Sequence, residues 1–486
     1  MSGIIRGSLF TVAMRWTDRL IGLLSTLVLA RLLLPQDFGI IAMASLVITL
    51  ADLLFDLGVH ATLIQNPAPT QAHFDTAWTL ALLQAAAVAL ALQLCAPYAA
   101  QYFHEARVQS VVQVLALSLL INGMENIGVV NFQKEMRFGQ DFVLLFCKRF
   151  SGFVVTLLCA WLLRSYWALV IGTLSGRLVG VVCSYQMHPM RPRLSLQRWR
   201  DILGVSQWLL VRTSGSFFEG QLHRAVVGRH DSASIMGAYT LAGDISSMPS
   251  SELLMPINRV LFPAFVQVRQ RPEELKRVFL LAQGVQCLIA IPASAGLALV
   301  APQLVLLMLG PQWAMAVPFV QILALAYLAS AMLSSTTCLL IALQRVKVLA
   351  LFTWAQVALF VVLAFGLLEG AQALQVAWLR LAVSLISDLA FAALLLHVFE
   401  PLRLHELLRG VLRPLQAAAC MAAGLLLLQG HWASADSAAL LLTQVLSGAA
   451  LYSLALVLLW LAAGQPEGAE AYMLGHLKAA LKTALK

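Results

Sequence analysis

Residues 8–33 read S-L-F-T-V-A-M-R-W-T-D-R-L-I-G-L-L-S-T-L-V-L-A-R-L-L, and this stretch decides how the rest of the chain is interpreted. It is apolar enough to enter a bilayer, yet it contains Arg15, Asp18, Arg19 and Arg31. A second apolar stretch follows the turn at Pro35 and carries Asp52 and Asp56. A charge at the bilayer centre costs about 2.5 kcal/mol or more, so it normally faces a watery cavity or a partner. The two stretches therefore predict a membrane protein with a polar interior.

The composition agrees with this interpretation. Hydrophobic residues make up 60% of the 486 residues and charged residues only 11%, against about 25% charged residues in soluble proteins. The net charge of +9 comes largely from loops between apolar segments, so we expect no nucleic-acid partner. The seven cysteines fall inside apolar segments without metal-ligand spacing, and we expect no metal or other cofactor.

Apolar stretches long enough to cross a bilayer recur along the chain, and we count about 14 of them. The predicted fold is an all-α integral membrane protein. The predicted spans lie near residues 8–33, 38–58, 76–98, 108–130, 141–163, 166–186, 205–226, 233–256, 278–300, 316–342, 347–368, 372–397, 411–428 and 438–463.

Lysine and arginine are unevenly distributed among the connections. With the N-terminus in the cytoplasm, the outward connections carry only Arg107, Arg164 and Arg229. The inward connections and both ends carry Arg6, Lys134, Arg137, Arg191, Arg193, Arg198, Arg200, Arg259, Arg269, Arg271, Lys276, Arg277, Arg345, Lys347, Arg403, Arg409, Arg413, Lys478, Lys482 and Lys486. The inward loop 59–74 contains neither lysine nor arginine. The excess of these residues in the other inward connections nevertheless predicts that both termini are cytoplasmic.

A short internal repeat accompanies the first and seventh spans. Span 1 ends A-R-L-L-L-P-Q-D-F before Gly39, and span 7 ends R-A-V-V-G-R-H-D-S a few residues before Gly237. Transporters built from two related halves leave such traces. A chance match between two segments rich in alanine and glycine is the alternative.

Polar side chains share helix faces in five of the predicted spans, because residues three or four apart are neighbours on a helix. We expect these faces to meet in one wet space between two bundles. The five polar faces consist of Arg15, Asp18, Arg19, Gly22 and Thr26 in span 1; Ser45, Thr49, Asp52 and Asp56 in span 2; Ser118, Asn122, Glu125 and Asn126 in span 4; Arg212, Ser216, Glu219 and His223 in span 7; and Thr240, Asp244, Ser247 and Ser251 in span 8.

The chemistry of these side chains indicates an anionic substrate. Guanidinium groups offer paired donors to phosphate or carboxylate, while acids in the same space can hold a proton or a sodium ion. The candidate substrate-binding residues are Arg15, Arg19, Arg149, Arg212, Arg224 and Asn122. The candidate ion-coupling residues are Asp18, Asp52, Asp56, Glu125, Glu219 and Asp244.

A purely structural interpretation remains open for individual residues. Asp18 could neutralise Arg15 and Arg19, and Glu219 could neutralise Arg212 or His223, so that a polar helix can insert. Long side chains near span ends can reach the interface, as Arg31, Lys148, Arg149, Arg177 and Arg224 could do. Arg380, two turns before Asp388, is predicted to be a structural feature of span 12.

Several segments together resemble the bacterial polysaccharide exporters of the colanic-acid type, an oligosaccharide-flippase branch of the multidrug/oligosaccharidyl-lipid/polysaccharide superfamily. They are A-R-L-L-L-P-Q-D-F-G-I-I-A-M-A at 30–44, A-D-L-L-F-D-L-G-V-H-A-T-L-I-Q at 51–65, F-Q-K-E-M-R-F at 132–138, P-I-N-R-V-L-F-P-A-F at 256–265 and G-P-Q-W at 310–313. The resemblance runs from the start of the chain to about residue 400.

The resemblance implies a V-shaped molecule with two pseudo-symmetric six-helix lobes and two additional C-terminal helices. It also implies alternating-access movement of an undecaprenyl-diphosphate-linked oligosaccharide across the bacterial inner membrane, for surface or exopolysaccharide assembly. Arg15, Arg19 and Arg212 would match the family's cationic cavity, and Asp52 and Asp56 its motif acids. The expected partners are the lipid-linked oligosaccharide, membrane lipids and, as candidates, a polymerase and export machinery; the protein itself is expected to be a monomer.

The domains expected from this comparison are an N-terminal lobe (1–200), a C-terminal lobe (201–400), two additional helices (401–463) and an amphipathic basic tail (464–486). Two other functions stay open. A cation-coupled drug antiporter of the same superfamily would have an acidic cavity, whereas the first half here is net basic. A membrane polymerase or ligase would need a large outward loop, and the longest outward connections have only about 15 residues, so we expect a transporter and no enzyme.

Overall fold

The computed structural model describes residues 2–55, 59–66, 68–202, 207–367, 370, 372–428, 437–466 and 468–475. Asp56 and the tail lysines Lys478, Lys482 and Lys486 lie outside these residues. The regular elements of the described residues are helices: α1 Ser2–Leu32, α2 Pro35–Phe55, α3 Val59–Gln65, α4 Gln71–Tyr102, α5 Arg107–Gly123, α6 Val130–Lys134, α7 Phe138–Leu163, α8 Trp167–Met187, α9 Trp199–Ile202, α10 Gln207–His230, α11 Ala233–Met248, α12 Leu254–Val268, α13 Pro272–Met308, α14 Val317–Met332, α15 Ser334–Ala342, α16 Val346–Leu367, α17 Ala373–Val398, α18 Leu404–Leu428 and α19 Ser437–Ala462.

The all-α membrane fold is confirmed, but the count of 14 spans is not. Within the described residues, ten helices are long and apolar enough to cross a membrane, or eleven if one bent pair is a single span. That bent pair is α5 with Ile127–Lys134, which meet at 65°. The other predicted spans correspond to α1 and α10, which carry several charges, and to α11, which gives way to a π-helix at Pro249–Leu253. The length of an apolar stretch therefore does not identify membrane spans reliably where polar side chains accumulate.

The chain forms two compact units. Unit 1 contains Met1–Phe217 and Arg224–Gly237, and unit 2 contains Phe218–His223 and Ala238–Lys486. The helix α10 therefore contributes residues to both units.

Within unit 1, helices α7 and α8 pack closely through glycines. Gly172, Gly176 and Gly180 follow one another at four-residue spacing, so they share one face of α8. A Cβ added to Gly176 would lie 2.9 Å from the carbonyl oxygen of Lys148, and one at Gly180 would lie 2.5 Å from Cε of that lysine. Small residues let helix backbones approach inside a bilayer, where apolar burial does not drive helices together.

Gly176→Leu is expected to force α7 and α8 apart and to destabilise the protein by about 1–3 kcal/mol, the usual cost of overpacking. The measurement is the melting temperature of the purified protein, followed by size-exclusion chromatography after heating. Gly139→Leu in the same unit is the matched control, because a Cβ there meets no atom within 4 Å. Equal melting temperatures for the two variants would contradict the close packing.

Also within unit 1, α2 and the start of α11 cross at the two repeat glycines. A Cβ on Gly39 would lie 1.7 Å from the carbonyl oxygen of Ala233, and a Cβ on Gly237 would lie 2.0 Å from that of Pro35. Each glycine therefore lies against the carbonyl oxygen of the residue four positions before the other glycine. The contact is reciprocal. The similar sequences at the two positions thus meet each other in space.

Unit 2 is built around the long helix α13. Buried Phe265, Phe279 and Leu395 belong to one apolar cluster, and Ile291, Met421 and Tyr452 to another. Between them the buried amide of Gln286 donates to Asn258 at 2.6 Å and accepts from the Ser335 backbone N–H at 3.1 Å. This hydrogen bonding satisfies a polar group that would otherwise be costly to bury.

Candidate functional site

A cavity of about 630 Å³ opens among the helices of unit 1. Its polar lining comes from α2, α4, α5 and α10, which supply Thr49, Asp52, Gln84, Asn122, Thr213 and Ser216. Two of the predicted site residues, Asp52 and Asn122, thus lie in one cavity. Within the described part of the chain, Asp52 is the one ionisable side chain that lines it.

Arg177 in α8 adds a positive charge close to this cavity. Its guanidinium donates a hydrogen bond to the carbonyl oxygen of Ser118 at 3.4 Å, and it interacts electrostatically with Asp52 and Glu125. The sequence had suggested that Arg177 reaches the membrane interface, whereas the structure directs it toward the acids of α2 and of the turn after α5. A carboxylate and an amide of unit 1 thus line the cavity, and the Arg177 guanidinium interacts with that carboxylate.

Glu125 is held by Lys148 of α7, whose ammonium lies 2.6 Å from each of the two carboxylate oxygens. Because Gly180 has no side chain, the aliphatic part of Lys148 can pass directly beside α8 at this position. In this conformation the charge of Lys148 is therefore used inside the unit, in an ion pair that links α7 to the turn after α5.

A second ion pair joins α1 to α7, where the Arg149 Nε lies 2.5 Å from the Asp18 carboxylate. The sequence suggested Arg15 and Arg19 as partners of Asp18. Neighbours on the same helix were the natural guess, but the structure pairs Asp18 with a helix more than a hundred residues away.

The remaining predicted residues are more dispersed. Arg19 is exposed on α1, and Arg212 and Arg224 are half-buried on α10. Asp244 is exposed on α11 and belongs to unit 2. The side chain of Arg15 and the whole of Asp56 lie outside the described residues.

Asn126 has a structural role. It is fully buried and caps the 3₁₀-helix Ile127–Val129 by accepting a hydrogen bond from Gly128. Its amide nitrogen donates to the carbonyl oxygens of His188 at 3.3 Å and Met190 at 2.9 Å. The polar face predicted for span 4 is therefore divided, because α5 ends at Gly123 and the chain turns away from the cavity.

In unit 2, Glu219 forms an ion pair with Arg380 of α17. This corrects the sequence interpretation, which offered Arg212 or His223 as partners of Glu219. The suggested link between Arg380 and Asp388 persists as an electrostatic interaction. His223 is buried instead against Tyr239, with 2.9 Å between Nδ1 and the phenol oxygen. One signal in the sequence could have indicated the pair: Arg380 has no acid three or four residues away, so its partner had to come from another helix.

The described charged and polar side chains of the site do not have the pattern of a metal centre. Among the described residues, no three histidine, cysteine or acidic side chains lie together as metal ligands would. Three ion pairs, Lys148–Glu125, Arg149–Asp18 and Arg380–Glu219, link elements of the described chain, and Asp52 lines the cavity of unit 1.

Comparisons with known proteins agree with this architecture. Residues 28–318 match the polysaccharide biosynthesis protein family. The chain is 26% identical over 351 residues, 70% of either chain, to the lipopolysaccharide biosynthesis protein WzxC of Escherichia coli (strain K12). It is 25% identical over 367 residues, 74% of either chain, to the succinoglycan biosynthesis transport protein ExoT of Rhizobium meliloti (strain 1021).

The fold is also that of a solved flippase. The inward closed conformation of the lipid II flippase MurJ superimposes with a TM-score of 0.70 at 12% identity, covering 93% of this chain and 98% of that one. These findings confirm the resemblance seen in the sequence motifs. The chain therefore belongs to the polysaccharide biosynthesis protein family, as a multi-pass membrane protein with the fold of a flippase.

Proposed function

We propose that this protein moves a polyprenyl diphosphate-linked oligosaccharide repeat unit, with undecaprenyl as the lipid, across the bacterial inner membrane by alternating access. The exported unit serves surface polysaccharide or exopolysaccharide assembly. The observation that carries the proposal is the polar cavity of unit 1, in a chain whose curated relatives take part in polysaccharide biosynthesis. A cavity of this kind gives a hydrophilic glycan a route through apolar helices.

In this proposal the arginines hold the diphosphate and Asn122 contacts the glycan in the cavity. Paired guanidinium donors match phosphate oxygens in geometry and charge. Arg149 is bound to Asp18 in this conformation, so a diphosphate would compete with that carboxylate. The proposed substrate-binding residues are Arg15, Arg19, Arg149, Arg212, Arg224 and Asn122.

The acids are proposed to couple transport to a cation gradient. Asp52 is the best placed, because it lines the cavity. Glu125 and Glu219 would first have to leave Lys148 and Arg380, to which they are bound here. The full proposed set is Asp18, Asp52, Asp56, Glu125, Glu219 and Asp244.

We further propose that the protein acts as a monomer, with both termini in the cytoplasm, and delivers its cargo to a polysaccharide polymerase. The orientation rests on the excess of arginine and lysine in one set of connections. The two-lobe division and the basic amphipathic tail stay predictions.

The test is surface polysaccharide output in a strain that lacks the chromosomal gene and carries a plasmid copy. Arg212→Ala is expected to stop output, and Asp52→Asn to lower it at least tenfold, equivalent to about 1.4 kcal/mol. Both variants should insert normally. Arg198→Ala, which removes an exposed arginine in the connection before α9, is the control and should retain full output. Normal output from Arg212→Ala and Asp52→Asn would refute the proposed site.

One observation favours a second function, that of a cation-coupled drug antiporter. The charge that lines the unit 1 cavity is the acid Asp52, as expected for a cation-coupled drug antiporter. The two functions predict different phenotypes for a gene deletion. A flippase deletion loses surface polymer, whereas an antiporter deletion leaves polymer intact and increases sensitivity to cationic compounds.

A further inference from the structure

A second polar cavity in unit 1, of about 600 Å³, lies where three helix connections meet. Its volume is within the range of about 300–1,000 Å³ typical of small-molecule sites. The connections are those between α1 and α2, α4 and α5, and α10 and α11. These connections and the helix ends beside them supply Gln36, His104, Glu105, Arg107, Arg229 and Asp231 to its wall.

The charged groups of this cavity are held in place by the protein itself. Arg107 donates to both oxygens of Glu105, at 2.9 and 2.8 Å. These hydrogen bonds lower the pKa of the Glu105 carboxyl below its usual value, so the acid stays ionised at neutral pH. Arg229 lies over the ring of Tyr102, with 4.9 Å from its guanidinium carbon to the ring centroid. Such fixed donors and acceptors need little rearrangement to bind a ligand.

The backbone of this cavity is also under constraint. His104 has a φ of 52°, a left-handed conformation that residues other than glycine seldom adopt. The cause is local, because His104 follows the C-cap of α4 and the N–H groups of His104 and Glu105 donate to the carbonyl oxygens of Gln101 and Ala100. The helix end thus fixes the position of the loop that carries Glu105 and Arg107.

We propose that this cavity binds a neutral pyranose ring of a glycan. Sugar hydroxyl groups donate and accept hydrogen bonds at once, and the wall offers guanidinium and amide donors beside carboxylate acceptors. Arg107 is balanced by Glu105, and the lining holds Arg229 together with Asp231. This charge balance suits an uncharged polyol better than a free anion.

The inference rests on the proposed function, which supplies the glycan. The three connections belong to the ends of α2, α4 and α10 opposite the arginine-rich connection at 188–200. If that connection is cytoplasmic, the cavity faces the compartment that receives the exported glycan. The second cavity would then hold the sugar as it leaves.

The experiment is saturation-transfer NMR on the full-length protein in lipid nanodiscs, with neutral methyl pyranosides of glucose, galactose, mannose and N-acetylglucosamine as probes. Each probe is used at about 10 mM, at which a site with a Kd of about 1 mM is mostly occupied. At least one probe is expected to show ring-proton saturation. That signal should fall at least tenfold in Arg229→Gln and in Ser234→Trp, which fills the cavity from its wall.

Arg164→Gln is the matched control, since it removes an exposed arginine from another connection of the same unit and should keep the signal. Methyl glucuronide is the charged comparison, and binding of this probe alone would overturn the neutral-sugar assignment. The inference would be overturned if no neutral probe showed ring-proton saturation, or if the saturation signal were undiminished in Ser234→Trp. Because binding is measured without transport, these results are independent of the export assay, whose failure would refute the proposed function alone.

Discussion

Gly39→Ala is expected to destabilise the protein by about 3 kcal/mol or more, although it adds a single methyl group. The new Cβ would lie 1.7 Å from the carbonyl oxygen of Ala233 and 2.6 Å from its carbonyl carbon. These are backbone atoms, so no side chain can rotate away and the two helices must separate. Overpacking costs typically 1–3 kcal/mol and occasionally more, and a clash between two backbones belongs at the upper end.

Gly237→Ala should have a similar effect, because its Cβ would lie 2.0 Å from the carbonyl oxygen of Pro35. The two substitutions force the same displacement of α2 from α11. Once one has separated the helices, the second should cost little, so the double variant should be far less destabilised than the sum of the singles.

The measurements are melting temperature and the yield of monodisperse protein after extraction from membranes. Gly22→Ala is the control in the neighbouring helix α1, where a Cβ meets nothing within 4 Å. It should be neutral or slightly stabilising, because alanine favours a helix over glycine by about 1 kcal/mol. If Gly39→Ala behaves like this control, or if the double variant is additive, the reciprocal crossing is wrong.

The helical fold could be predicted from the sequence because insertion in a bilayer depends on local composition. The apolar stretch predicted at 278–300, for example, lies inside α13, although that helix starts earlier with the charged turn at Pro272 and continues to Met308. The same reasoning works less well for α10, where Arg212, Glu219 and Arg224 interrupt the apolar pattern. Polar residues reduce the signal in the helices that supply the site.

The partners of the charged residues could not be predicted, because they depend on packing between distant helices. Asp18 could be assigned to a polar face but not to Arg149, which α7 brings to it. Lys148 reaches Glu125 along a stem that runs beside Gly180 of α8. Asp52 and Asn122 line one cavity of unit 1, and the period of a helix had already placed each on a face with other polar residues.

Arg380→Met should cost about 3–5 kcal/mol, the usual loss when one member of a buried ion pair is removed. Arg380 is 7% exposed and contacts Glu219, which is itself partly buried in unit 2. The single change leaves an acid with no guanidinium beside it. Glu219→Gln should be destabilising for the converse reason, because a buried guanidinium loses its counter-charge.

The double variant Glu219→Gln with Arg380→Met should recover most of the lost stability, because an uncharged pair has no desolvated charge to compensate. Arg271→Met is the matched control, since Arg271 pairs with Glu274 on an exposed surface and should change stability by no more than about 1 kcal/mol. A double variant no more stable than either single would show that the two charges are not coupled.

The same double variant separates the two roles open to Glu219. If it folds and exports polysaccharide normally, the acid serves only to neutralise Arg380 inside the membrane. If it folds as well as the parent but exports nothing, the charged pair has a role in transport beyond stability, as expected if Glu219 is a coupling acid that Arg380 holds in this conformation. Stability and export thus have to be measured on the same preparation, because a loss of export in Arg380→Met alone would follow from unfolding under either role.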